Sequence, residues 1–146
     1  MIEGKALALD IQTEIRQEIL KNKLRPSLAV ILVGEDPASQ VYVRNKTRKF
    51  HKLGLHSETM QYPADASQNQ LISKINELNN DNQYHGILIQ LPLPKHIDSD
   101  AVLNTVNPKK DVDGFHPYNL GCLAAGKPTF IPCTPKGIMR ILEHYK

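Results

Sequence analysis

Leu28-Ala29-Val30-Ile31-Leu32-Val33 is an unbroken apolar run, entered after Pro26 and left through the turn residues Gly34-Glu35-Asp36-Pro37. An apolar run without polar alternation predicts a strand covered on both faces, the kind found in parallel sheets. The turn signal and the helical pattern after it make a strand–turn–helix unit. The same alternation extends outward in both directions. Upstream, Leu7, Ile11, Ile15 and Ile19 recur every four residues, the stripe of an amphipathic helix. Downstream, a helix is expected from near Ala38 to Gly54, a natural residue for ending a helix in the left-handed conformation. Residues 55–62 form a second, more polar strand candidate. Ser67 and Gln70 form a capping box that opens a helix with Leu71, Ile75 and Leu78 on its buried face. Residues 86–91 give a third strand, stopped by Pro92 and Pro94.

Beyond it, short helices are expected over 99–106 and 119–125, with a loop over 107–114 and a short extended piece at Phe130-Ile131. Thr134 is positioned as an N-cap with Pro135 behind it, opening a last helix with the stripe Ile138, Ile141, Leu142 and Tyr145. Alternating strands and helices imply an α/β fold: a three-layer parallel-sheet domain with helices on both faces, joined by right-handed crossovers.

A chain of 146 residues suggests one domain, large enough to bury roughly 68–70% of its unfolded surface. Its 40% hydrophobic and 23% charged residues are those of an ordinary globular protein. The net charge of +3 is spread along the chain, and its densest stretch, residues 44–52, is periodic enough to be a helix. A nucleic-acid partner is therefore not expected, whereas a mildly basic cleft for an acidic small molecule is compatible. Cys122 and Cys133 make no C-x-x-C pair and read as two reduced thiols. No apolar run approaches the roughly 18 residues needed to span a membrane. The opening Met1-Ile2-Glu3-Gly4-Lys5 lacks a signal-peptide core. A cytoplasmic protein with no membrane partner is expected.

In open parallel sheets, ligands bind beyond the carboxyl ends of the strands. Gly34 to Ser39, Gln90 to Pro94, and the Lys109 to Gly114 loop fall there. Tyr42 and Lys46 share a helix face one turn apart, so a ring and an ammonium could meet at one spot. The same spacing also suits a solvated lysine beside a packing tyrosine. Gln90 at the end of an apolar strand could orient a ligand or cap the strand. Asp111 and Asp113 alternate in Lys-Asp-Val-Asp-Gly, but the further ligands of a calcium loop are missing, so no metal site is expected. The Gly34 turn has a single glycine and is a poor phosphate cradle.

Taken together, these segments resemble the methylenetetrahydrofolate dehydrogenase/cyclohydrolase family. Val33-Gly34-Glu35-Asp36-Pro37-Ala38-Ser39 with Tyr42-Val43 and Lys46 is similar to its first signature. Gln90-Leu91-Pro92-Leu93-Pro94 is similar to its second, and Pro108-Lys109-Lys110-Asp111-Val112-Asp113-Gly114-Phe115 to its third. Asn119, Gly121 and Pro132-Cys133-Thr134-Pro135-Lys136-Gly137 continue it. The resemblance implies oxidation of 5,10-methylenetetrahydrofolate to the methenyl form with NADP, then hydrolysis to 10-formyltetrahydrofolate. It implies Lys46 as catalytic lysine, assisted by Gln90, which hydrogen-bonds that lysine, and by Tyr42, which stacks on the folate. Asp113 would hold the pterin, with Ser39, Leu91 and Pro92 as further substrate-binding positions. It also implies a homodimeric parent that supplies purine and amino-acid biosynthesis.

These roles suit the residues. A carboxylate accepts two parallel hydrogen bonds from adjacent pterin donors. Offset stacking on a tyrosine adds about 0.5–1.5 kcal/mol beyond area burial. A neutral lysine can accept a proton near a cationic, amidine-like carbon. The family continues into a Rossmann-type NAD(P) domain, for which no glycine-rich turn is present here. The expected organisation is thus a folate-binding catalytic domain over residues 1–134. Residues 135–146 would begin a linker helix to an NAD(P)-binding domain outside this chain, so NADP itself has no expected contact residue here. The rival readings are a stand-alone α/β ligand-binding module and an interaction domain in which Lys46 is only a surface charge.

Overall fold

A computed structural model describes residues 3–146. Its order is α1 (Gly4–Lys21), β1 (Ser27–Val33), α2 (Pro37–Lys52), β2 (His56–Tyr62), α3 (Gln68–Asn80), β3 (Gly86–Ile89), α4 (Ser99–Thr105), α5 (Pro117–Ala124) and α6 (Cys133–His144). The strands form one sheet in the order β2-β1-β3. Both pairings are parallel, with Val30 opposite Thr59 on one side and Leu88 on the other. β1 is central and every residue of it is buried, as its unbroken apolar run requires.

Side chains alternate between two cores. Ala29, Ile31, Val33, Ile87 and Ile89 face α3 and α4, where Leu71, Ile75 and Val102 are fully buried. Leu28, Val30, Leu32 and Leu88 face α2 through Val43 and Phe50. Helices therefore cover both faces, as expected. Burying Leu71, Ile75 and Leu78 contributes about 1.5–3 kcal/mol each. Their helix starts where the sequence places it: Ser67 Oγ accepts from the Gln70 amide and Gln70 Oε1 from the Ser67 amide.

Sequence and structure differ most at three element boundaries and at Phe130. β3 ends at Ile89 rather than residue 91: the Gln90 amide still donates to the Ile31 carbonyl, the chain bends at Leu91, and Pro92 has no N–H to extend the ladder. α5 opens at Pro117 instead of residue 119, since His116 Nδ1 accepts the Tyr118 amide at 3.0 Å and Pro117 needs no hydrogen-bond acceptor at the first position. α6 begins at Cys133 with Pro132 as its N-cap, so Thr134 is not the cap and Pro135 lies within the first turn, where missing N–H groups are tolerated. Phe130 lies in a bend outside the sheet.

α1 is also less covered than its stripe predicts. Leu7 is buried, yet Ile15 is 43% exposed. α1 packs on α6, where Arg140 Nη2 and Glu14 Oε2 lie 3.7 Å apart at the surface. Such an exposed pair contributes little to stability.

The topology decides where a ligand can enter. From β1 the chain crosses through α2 to β2 on one side, then through α3 to β3 on the other. The connections leaving the carboxyl ends of β1 and β3 therefore diverge, which opens a crevice between them.

Candidate functional site

A cleft of about 820 Å³ occupies that crevice, a size suited to a small organic ligand. α2 supplies one wall. Asp36 caps this helix by accepting the Ser39 amide at 2.7 Å, an interaction that holds its carboxyl below the ordinary aspartate range. Ser39, Tyr42, Lys46 and Lys49 then fall on one face at helical spacing and line the cleft. Ser39 is buried at the base, while Tyr42 is 64% exposed and leaves its ring open at the rim. The segment after β3 supplies Gln90, Leu91 and Pro92. The loop after α4 supplies Asp113, and the start of α6 supplies Cys133. All seven residues expected at the site thus line a single cleft.

Lys46 Nζ stands 4.0 Å from Asp113 Oδ2, with the aspartate side chain 18% exposed. Burial pushes the Asp113 carboxyl up and the neighbouring Asp111 charge adds to this, while the Lys46 ammonium and the Cys133 thiol pull it down. The Cys133 thiol contacts the Val112 carbonyl at 3.7 Å and is raised by burial and then by the Asp113 charge. The residue as a whole is exposed. No role was expected for Cys133, although it lies in the Pro-Cys-Thr-Pro block.

The expected hydrogen bond from Gln90 to Lys46 is absent among the described contacts. Gln90 Nε2 donates to the Leu91 carbonyl at 2.7 Å, and its Oε1 is buried with no protein partner. A buried acceptor left open on a cleft wall is a position for a ligand donor.

Asp111, two residues before Asp113, turns the other way. It is 5% exposed and accepts hydrogen bonds from its own loop and from Asn119. The two carboxylates therefore have different surroundings, and no cluster of three His, Cys, Asp or Glu side chains converges among the described residues. The basic stretch on the opposite side of α2, with Arg44, Arg48 and Lys52, lines a separate open groove against β2 and meets none of the expected site residues.

The family described as tetrahydrofolate dehydrogenase/cyclohydrolase, catalytic domain, matches residues 2–113. The chain is 52% identical to a bifunctional protein FolD of Magnetococcus marinus over 147 aligned positions, covering 98% of this chain and 52% of that protein. The crystal structure of the FolD methylenetetrahydrofolate dehydrogenase/cyclohydrolase of Campylobacter jejuni superposes with a TM-score of 0.93 at 44% identity, covering 99% of this chain and 52% of the other. The FolD enzyme of Trypanosoma brucei, solved with NADP cofactor and inhibitor, superposes with a TM-score of 0.94 at 35% identity, covering 99% and 51%. The chain spans about half the length of the relatives it matches.

Proposed function

This chain belongs to the tetrahydrofolate dehydrogenase/cyclohydrolase family, and on that premise we propose that its cleft binds a reduced folate and carries the ring-opening hydrolysis of 5,10-methenyltetrahydrofolate to 10-formyltetrahydrofolate. The observation that carries this reading is the Lys46–Asp113 pair at 4.0 Å, with Tyr42 and the open Gln90 acceptor lining the same cleft. Asp113, ionised, accepts the paired N–H donors of the pterin edge. Tyr42 offers its exposed ring as a stacking surface. Leu91, Pro92 and Ser39 shape the pocket around the substrate. Lys46 moves the proton between the attacking water and the opening ring, and Gln90 Oε1 orients that lysine or the water once the ligand is seated. The last step needs only a rotation of side chains that already border the cleft.

The family reading adds the oxidation of 5,10-methylenetetrahydrofolate with NADP. The residues of this chain do not fit a dinucleotide. The strand–turn–helix unit at the cleft is β1–α2, and there the Asp36 carboxylate already occupies the helix start where a pyrophosphate would need free N–H groups. We assign residues 1–134 to the folate-binding unit and 135–146 to a helix leading toward the NAD(P)-binding part of the longer relatives. The family reading adds a homodimeric, cytoplasmic setting that serves purine and amino-acid biosynthesis. The test is ring opening of 5,10-methenyltetrahydrofolate by the purified 146-residue chain, followed by loss of the methenyl absorbance. A rate no higher than in buffer, with no measurable folate binding, would refute the assignment.

A further inference from the structure

Asp113 reaches the cleft from a loop, and loops hold a side chain in one direction only where something fixes them. We propose that Asp111 is the positioning residue that aims Asp113 at the ligand, an inference that rests on the folate reading of the cleft.

Two anchors meet at Asp111. Its backbone is tied to the sheet: the Asp111 amide donates to the Asn107 carbonyl at 3.1 Å, the Ile87 amide donates to the Lys110 carbonyl at 2.8 Å, and Ile87 and Asp111 form a parallel bridge beside β3. Its side chain gathers the loop that follows. Oδ1 accepts the Gly114 amide at 3.0 Å and the Phe115 amide at 3.3 Å. Oδ2 accepts the His116 amide at 2.9 Å and Asn119 Nδ2 at 2.8 Å. Asn119, 1% exposed, is itself fixed, donating to the Pro108 carbonyl at 3.0 Å and accepting the Thr129 hydroxyl at 2.7 Å. Among the described residues no ion pair reaches this buried carboxylate; it is held by four N–H donors.

Asp113 lies between the two ends of this wrap. Asp111, two residues before it, is pinned to the sheet edge, and its successor Gly114 is pinned to Asp111 and packed against Pro132, where an added Cβ would meet Pro132 N at 3.0 Å. With both flanks held, the remaining open direction is toward Lys46. Asparagine at position 111 cannot replace the carboxylate. Its amide nitrogen would face N–H donors on one side of the network, so one half of the wrap would open.

A residue that merely stabilises the loop and one that aims Asp113 are separated by coupling. In the full 146-residue chain, tetrahydrofolate binding is measured by calorimetry for Asp111→Asn, Asp113→Asn and the double variant. Positioning predicts that Asp111→Asn weakens binding about tenfold in the parent background and less than about twofold once Asp113 is already asparagine. Equal losses in both backgrounds would overturn it. A second readout needs no folate: the Asp113 carboxyl is followed by carbon NMR in the free chain. The variant followed is Asn119→Ala, which keeps the Asp111 charge, so a downward move of the titration reports relieved burial of Asp113; an unchanged titration overturns the inference. If the titration moves while Asp113→Asn alone leaves tetrahydrofolate binding intact, the positioning stands and the folate role of Asp113 falls. Should Asp111→Asn fail to fold, Asn119→Ala, which leaves three of the four donors in place, carries the binding comparison as well, with the same deciding outcome.

Discussion

Lys46 Nζ and Asp113 Oδ2 stand 4.0 Å apart across the mouth of the cleft, one from the middle of α2 and the other from the loop that α5 and β3 hold in place. The pair is loose enough for a ligand to part it. On the proposed reading each partner then turns to a different task, the carboxylate to ligand donors and the lysine to proton transfer.

Replacing Lys46 by methionine keeps the stem and removes the charge. We expect Lys46→Met to abolish ring opening of 5,10-methenyltetrahydrofolate while folate affinity stays within about tenfold. Comparing turnover with calorimetric affinity checks this. A variant that opens the ring at the unmodified rate removes Lys46 from the chemistry.

For Asp113→Ala, the pterin donors lose a charged acceptor, and binding should weaken by about 2–4 kcal/mol. Asp113→Asn keeps one acceptor oxygen and should lose less. Equal affinity for all three proteins would confine Asp113 to a structural role in the loop.

Affinity should also depend on pH in a defined direction. The free Asp113 carboxyl is raised, chiefly by burial, whereas a bound pterin favours the ionised form. Binding strength is therefore full above the raised pKa of the free protein and is lost as pH falls through it, beginning above the ordinary aspartate range of about 3.9. Stability of the free chain runs oppositely: the contribution of protonated Asp113 is present at low pH and is lost as pH rises through the raised value. Titrating folate affinity between mildly acidic and neutral pH tests the first statement; a flat profile argues against an ionised Asp113 contact.

Cys133 offers a chemical reporter of the same charge. Its thiol is held up by burial and by Asp113, so alkylation should be slow at neutral pH. In a Cys122→Ser background, Asp113→Asn should speed iodoacetamide labelling about threefold at mildly alkaline pH, because the second of these causes is removed. An unchanged rate would mean that the two groups do not sense each other.

Gly114 has φ +70 and leaves no room for a Cβ beside Pro132. Gly114→Ala should destabilise the chain by about 1–3 kcal/mol, measured by urea unfolding, and should weaken folate binding with it. Full stability and affinity in that variant would show that the loop can be rebuilt without disturbing the cleft.

Much of this architecture was legible in the residues alone. The apolar run at Leu28 to Val33 and the shorter one at Ile87 to Ile89 specify buried parallel strands, because no polar alternation leaves a face for water. The capping box at Ser67 and Gln70, and Gly54 after α2, mark helix ends through local hydrogen bonding and backbone freedom, which depend on few neighbours. Tyr42 and Lys46 were bound to share a face by helical spacing. What spacing could not supply was direction across elements. Asp111 and Asp113 are the same residue type two positions apart, yet one is wrapped by four N–H donors of the loop and of Asn119 and the other looks into the cleft, with Pro132 packed on Gly114 from further along the chain. Gln90 bonds its own neighbour rather than Lys46, a choice between two partners that spacing alone does not make. The start of α6 at Cys133 and the exposure of Ile15 on α1 were likewise decided by packing. Local sequence determines which segments are strand or helix and which face is apolar. The tertiary structure decides which polar groups are satisfied internally and which are left for a ligand, because that balance depends on contacts between residues far apart in the chain.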